Sequence, residues 1–157
     1  MNSKIPCLDL TKQHQQIKEE VFREFEKVYE QTAFSGGPFV EKFEKEFAAF
    51  CQTPFAIGVN NGTSALHLAM LALNIGPGDE VILPANTFIA TAWGISYTGA
   101  TPVFVDVDPE TMLMDVSKVE ARITPKTKAF LPVHLYGQTV DMDPLLEIAR
   151  RHGLRVI

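Results

Sequence analysis

The sequence predicts an α/β fold, a mostly parallel sheet with helices on both faces behind a helical N-terminal arm. Three observations carry this. From residue 55 onward, short apolar runs alternate with helical stretches. The runs Val81-Ile-Leu, Val103-Phe-Val and Ala129-Phe-Leu-Pro-Val are apolar on both faces, as strands covered by helices on two sides must be. Charge also falls in blocks. The first 50 residues are rich in Lys, Arg, Asp and Glu, whereas Asp79 and Glu80 are the only such residues from 51 to 100. That middle block is expected to be the buried heart.

The elements follow in chain order. Ile17, Val21, Phe22, Phe25, Val28 and Tyr29 recur at spacings of three and four, which predicts an amphipathic helix. A second helix is expected from Pro38, with Phe39, Phe43, Phe47 and Phe50 on one stripe, after the break at Ser35-Gly-Gly-Pro38. Strands are predicted at Ala56–Asn60, Val81–Pro84, Pro102–Asp106, Ala129–His134 and Leu154–Ile157. Helices are predicted at Thr63–Leu73, Thr87–Tyr97, Val116–Ile123 and Pro144–Arg151, with Asp115 and Asp143 as N-caps and Gly153 ending the last. Ile75-Gly-Pro-Gly-Asp-Glu80 reads as a helix stop and a turn into a strand. The reading divides the chain into an arm, residues 1–50, and a partial α/β domain, residues 51–157. Ile157 falls inside what reads as the opening of a buried strand, so the sequence predicts a chain truncated at its C-terminal end.

Composition narrows the function. Of 157 residues, 46% are hydrophobic and 21% charged, a balance that predicts a folded core rather than disorder. A net charge of −5 argues against a nucleic-acid partner, since phosphate backbones select basic faces. Two cysteines, Cys7 and Cys51, and four histidines without ligand spacing argue against a disulfide framework or a metal site. Residues 81–105 are uncharged and long enough to span a membrane, but Pro84, Gly94, Gly99 and Pro102 punctuate them as strand, helix and strand. A cytoplasmic protein without a membrane partner is expected.

Ligands of open α/β sheets bind at the carboxyl ends of the strands, near helix N-termini. At the first such junction, Gly62, Thr63 and Ser64 offer a small residue, two hydroxyls and the free amides of a helix start, Ala65 included, which together suit an anion. A Thr/Ser cap without a ligand is the plainer alternative. No lysine follows in P-loop register, and the G-x-G-x-x-G pattern is absent. At the second junction Phe88 is placed either to stack on a flat heterocycle or to fill the core, and the core role is the commoner one for phenylalanine. His134 stands at a third strand end on the ligand side. Asp106 and Asp108 read as turn and cap residues, and His67 as structural.

Five segments in register carry a family resemblance: Asn61-Gly-Thr-Ser-Ala-Leu-His-Leu-Ala69, Gly76-Pro-Gly-Asp-Glu-Val-Ile82, Pro84-Ala-Asn-Thr-Phe-Ile-Ala-Thr-Ala92, Gly99-Ala-Thr-Pro-Val-Phe-Val-Asp106 and Pro132-Val-His-Leu-Tyr-Gly137. Together with Leu8-Asp-Leu and Ser35-Gly-Gly-Pro38, the chain resembles the DegT/DnrJ/EryC1/StrS sugar aminotransferases. The resemblance implies the first half of the aspartate-aminotransferase-like (fold type I) large domain and pyridoxal 5′-phosphate (PLP) as cofactor. It further implies transfer of an amino group from glutamate to a nucleotide-linked keto-sugar by a homodimer in polysaccharide or amino-sugar biosynthesis. Gly62, Thr63 and Ser64 match the family's phosphate turn, and Phe88 matches its ring-stacking aromatic. The catalytic aspartate and lysine of the family are expected beyond residue 157, so these residues alone are expected to be inactive. Two rival readings stay open: a non-catalytic PLP- or phosphate-binding regulatory module, and an unrelated α/β enzyme holding a nucleotide phosphate at Gly62–Ser64.

Overall fold

The computed structural model describes residues 5, 6 and 8–157; Cys7 lies outside the described residues. It divides into two units, residues 1–58 and 59–157.

Among its described residues, the first unit holds two helices. α1 (Thr11–Glu30) carries its apolar stripe as the spacing predicts, yet none of its residues is buried. α2 (Pro38–Phe50) begins on Pro38 at its first turn, where a missing N–H costs nothing. Its phenylalanine stripe forms a ladder, with ring centroids of Phe43 and Phe47 5.4 Å apart and of Phe47 and Phe50 6.3 Å apart. The Gly58 amide donates to Glu44 Oε1 on α2 at 2.7 Å.

The second unit is a parallel four-stranded sheet in the order β2-β1-β3-β4, made of β1 (Glu80–Pro84), β2 (Thr101–Val105), β3 (Thr127–Phe130) and β4 (Arg155–Val156). Alternation along the strands sorts the core into two layers. Val81 and Leu83 of β1, with Ala129 and Leu131, face Met70 and Ile95 from α3 (Gly62–Ala72) and α4 (Ala90–Ser96). Ile82, Val105 and Phe130 point the other way, against Leu113, Val119 and Leu145 and Ile148 of α5 (Met142–His152). Both faces are therefore covered, as the two-sided apolar runs require. The buried heart is wider than the uncharged block, because the second layer draws mostly on residues beyond 100.

The differences from expectation have local causes. Residues 56–60 form no strand; a strand needs a hydrogen-bonded neighbour, none is present among the described residues, and Ile57 stays 82% exposed. Residues 116–123 form two short 3-10 turns, Val116–Lys118 and Glu120–Arg122, instead of an α-helix. The run is too short to gain from helix cooperativity, and Pro125 bars its continuation. A three-residue repeat still puts Val116 and Val119 on one side, and Val119 is fully buried. β3 stops at Phe130 because Pro132 has no N–H to offer the ladder. The N-cap of α5 is Asp141 and not Asp143, which sits in the first turn. Gly153 ends α5 in the left-handed conformation, as anticipated, and Asp115 caps its turn by accepting from the Ser117 amide at 3.1 Å.

Candidate functional site

A pocket opens at the carboxyl end of the sheet, in the second unit. Gly62, Thr63, Ala65, Leu66 and Ala69 of α3 line it, together with Phe88, Ala90, Thr91 and Ile157. The structure thus brings two of the three predicted phosphate-turn residues and Phe88 into one cavity.

The α3 side is built by Asn61. Its backbone is extended, and its side-chain Oδ1 accepts from the Ser64 amide at 2.9 Å. Its carbonyl takes the Ala65 amide at 3.1 Å. The cap is therefore Asn61 rather than Thr63 or Ser64, and it corrects the expected cradle: the amides of Ser64 and Ala65 are occupied. Gly62 and Thr63, the first two residues of the helix, lie ahead of any intrahelical acceptor and keep their N–H groups free. A Cβ built on Gly62 would meet nothing within 4 Å. The glycine faces open space, so a ligand can approach these amides and the positive end of the helix dipole.

Another part of the lining comes from the loop after β1 and the start of α4. The Ala85 amide donates to the Val105 carbonyl at 2.8 Å, fixing where the loop leaves the sheet. The hydroxyls of Thr87 and Thr91 lie 2.9 Å apart, and the Thr91 amide donates to the Phe88 carbonyl at 3.0 Å. α4 begins at Ala90, not Thr87, and leaves Phe88 on the loop. Phe88 is 72% exposed, so it is not a core residue. Free amides and an open aromatic ring in the lining of one cavity suit a ligand that joins a phosphate to a flat ring.

The remaining candidates lie outside this cavity. His134 is exposed, and its Nδ1 accepts from the Val140 amide at 3.1 Å. His67 packs edge-on against Tyr97, with ring centroids 5.6 Å apart, as a structural residue would. Asp108 is a turn residue: its Oδ1 accepts from the amides of Thr111 (2.8 Å) and Glu110 (3.0 Å), which hold its carboxyl below the usual carboxylate range. Among the described residues no group of three or more His, Cys, Asp or Glu side chains is placed to hold a metal ion, and no helix is long and apolar enough to cross a membrane. Sequence reasoning did not single out Thr91 or Ile157. Thr91 stands one helical turn from Thr87, a spacing that brings side chains together; Ile157 ends the predicted strand Leu154–Ile157, where the strand-end rule could have found it.

Comparison with known proteins finds relatives along most of the chain. The family model of the DegT/DnrJ/EryC1/StrS aminotransferases matches residues 15–157. The GDP-perosamine synthase of Caulobacter vibrioides is 61% identical over 123 residues, covering 78% of this chain and 33% of that protein. Among solved structures, DesV of S. venezuelae in complex with a ketimine intermediate superposes with a TM-score of 0.92 at 46% identity, covering 99% of this chain and 42% of that one. The ntda protein of Bacillus subtilis, solved with bound cofactor PMP, gives a TM-score of 0.87 at 37% identity, covering 99% and 37%. The chain spans 33% to 42% of the length of these relatives.

Proposed function

The chain belongs to the DegT/DnrJ/EryC1/StrS aminotransferase family, and from that premise we propose that residues 59–157 are part of the cofactor-holding domain of a PLP-dependent sugar aminotransferase. The single observation behind this is one pocket lined by Gly62 and Thr63, whose amides are free, and by the exposed Phe88. In this reading the two amides and the hydroxyls of Thr63 and Ser64 bind the phosphate. Phe88 covers one face of the pyridine ring. Leu66, Ala69 and Ile157 give the cavity apolar walls that displace water and strengthen polar contacts inside it. When bound, PLP supplies an electron sink for the carbon that gains or loses the amino group.

The substrate is a nucleotide-linked keto-sugar, glutamate the amino donor, and the product an amino sugar for polysaccharide biosynthesis in the cytoplasm. The working form is a homodimer. No lysine lines the pocket, so residues 1–157 bind the cofactor without turning over on their own. Calorimetric titration with PLP, run beside an assay of amino transfer from glutamate to a keto-sugar nucleotide, tests both halves. Saturable binding without turnover is expected; lack of binding would refute the cofactor role, and turnover above the buffer blank would refute the inactivity.

A further inference from the structure

The residue that caps α3 has a chemistry of its own, which cofactor binding does not use. Asparagines stand at positions 2, 60, 61, 74 and 86, and of these Asn61 alone precedes a glycine. Asparagine is a heat-labile residue, because the amide nitrogen of the next residue can attack its side-chain carbonyl. A side chain on that next residue crowds the attack, and glycine has none.

The structure adds to the lability of this pair. Asn61 and Gly62 are both exposed, so water and hydroxide reach them. The Gly62 amide, first in its helix, has no acceptor to give up before it attacks. By contrast, the amide that follows Asn74 belongs to buried Ile75 and donates to Met70 O at 3.0 Å. A Cβ on Gly62 would meet nothing within 4 Å, so the space around the bond is open. Asn61 Oδ1 accepts from the Ser64 amide at 2.9 Å. That N–H draws electrons from Cγ and is already in place to hold the negative charge the oxygen gains under attack. The positive end of the helix dipole favours the same charge.

We propose that Asn61 is a site of spontaneous deamidation, and that occupancy of the phosphate turn controls it. The Gly62 nitrogen gives its proton to hydroxide and bonds to Asn61 Cγ. The Cγ–Nδ2 bond then breaks, and Nδ2 leaves as ammonia with a proton from water. Water opens the resulting cyclic imide at either carbonyl, giving an aspartate or a β-linked isoaspartate. The sum is one water consumed and one ammonia released, with no change of oxidation state. A phosphate held by the Gly62 N–H keeps the proton on the nitrogen and stops the first step. Conversely, a carboxylate at position 61 competes for the free amides and repels the phosphate. The control by phosphate rests on the cofactor reading; the lability of Asn61 does not.

The test ages the 157-residue chain at neutral and alkaline pH, with and without saturating pyridoxamine 5′-phosphate. Peptide mass spectrometry follows each asparagine, beside an assay of released ammonia. Asn61 is expected to convert ahead of Asn60, Asn74 and Asn86, faster at alkaline pH, and several-fold more slowly with the ligand bound. Gly62→Ala keeps the fold, since its Cβ meets nothing, and slows the conversion. Asn61→Asp melts with wild type, because the two residues cap helices equally well, and binds pyridoxamine 5′-phosphate about tenfold more weakly. Conversion at Asn61 no faster than at Asn74 and Asn86 would overturn the proposal, as would a rate unchanged by ligand that calorimetry shows to be bound. Preferential conversion in a chain that binds no pyridoxamine 5′-phosphate would uphold the modification site and refute the cofactor reading, with the control that rests on it.

Discussion

Replacing Phe88 with alanine separates a ligand-facing aromatic from a core one, because the two roles predict different energies. Phe88 is 72% exposed, so only about a quarter of its surface is shielded by the protein. Full burial of a phenylalanine is worth up to about 3 kcal/mol, which puts the folding contribution of this ring below about 1 kcal/mol. A core phenylalanine would cost about 3–5 kcal/mol on truncation. Stacking on a flat ring is worth roughly 0.5–1.5 kcal/mol, or about a two- to twelvefold change in dissociation constant. Phe88→Ala should therefore unfold in urea almost where wild type does, while its affinity for pyridoxamine 5′-phosphate falls by that factor. Urea titration and calorimetry on the same two proteins provide the comparison. A loss of stability above about 2 kcal/mol with unchanged affinity would show that the ring supports the fold and not the ligand.

Other perturbations probe separate parts of the account. Gly62→Val adds a side chain where a Cβ meets nothing within 4 Å, so the fold is expected to survive while phosphate binding is blocked; an unaltered calorimetric isotherm would contradict this. Gly94→Ala puts a methyl 2.7 Å from Leu66 Cβ at the crossing of α3 and α4, and thermal unfolding should show a loss of about 1–3 kcal/mol. Glu120 accepts from His152 and Arg151, which lower its carboxyl below the ordinary 4.5. A depressed carboxylate stabilises the fold above its unfolded-state value and loses that contribution as pH falls through the folded-state one. The difference in urea midpoint between wild type and Glu120→Gln should thus be present at about pH 6 and close as the pH drops below 4.5.

What could be read from the sequence was set by how local its causes are. α2 appears where predicted because Pro38, the phenylalanine spacing and the preceding glycines act within a few residues of one another. β1 and β2 announce themselves through uninterrupted apolar runs between turn residues. The strand-end rule put Phe88 beyond β1 without coordinates, although the core role was the commoner reading for it, and it reached Gly62 only through a strand at residues 56–60 that does not form. Which amides remain free was not legible. That depends on Asn61 capping the helix in place of the hydroxyl residues beside it, a choice between near-equivalent caps. Whether Phe88 faces core or solvent depends on where α4 starts, and it starts at Ala90, leaving Phe88 on the loop. Residues 56–60 mislead because strand propensity says nothing about whether a neighbour is there to pair with.

The claim that the Gly62–Thr63 amides and Phe88 hold one phosphate-bearing ring is tested most directly by amide-resolved NMR. The chain, isotopically labelled, is titrated with pyridoxamine 5′-phosphate and, separately, with pyridoxamine. The phosphate compound has no aldehyde to react with surface lysines, and the second probe differs from it only by the phosphate. Saturable shifts at the Gly62 and Thr63 amides and at the Phe88 ring with the first probe, and none at the two amides with the second, are the predicted result. Shifts that avoid all three residues, or that are the same with and without the phosphate, would contradict the account.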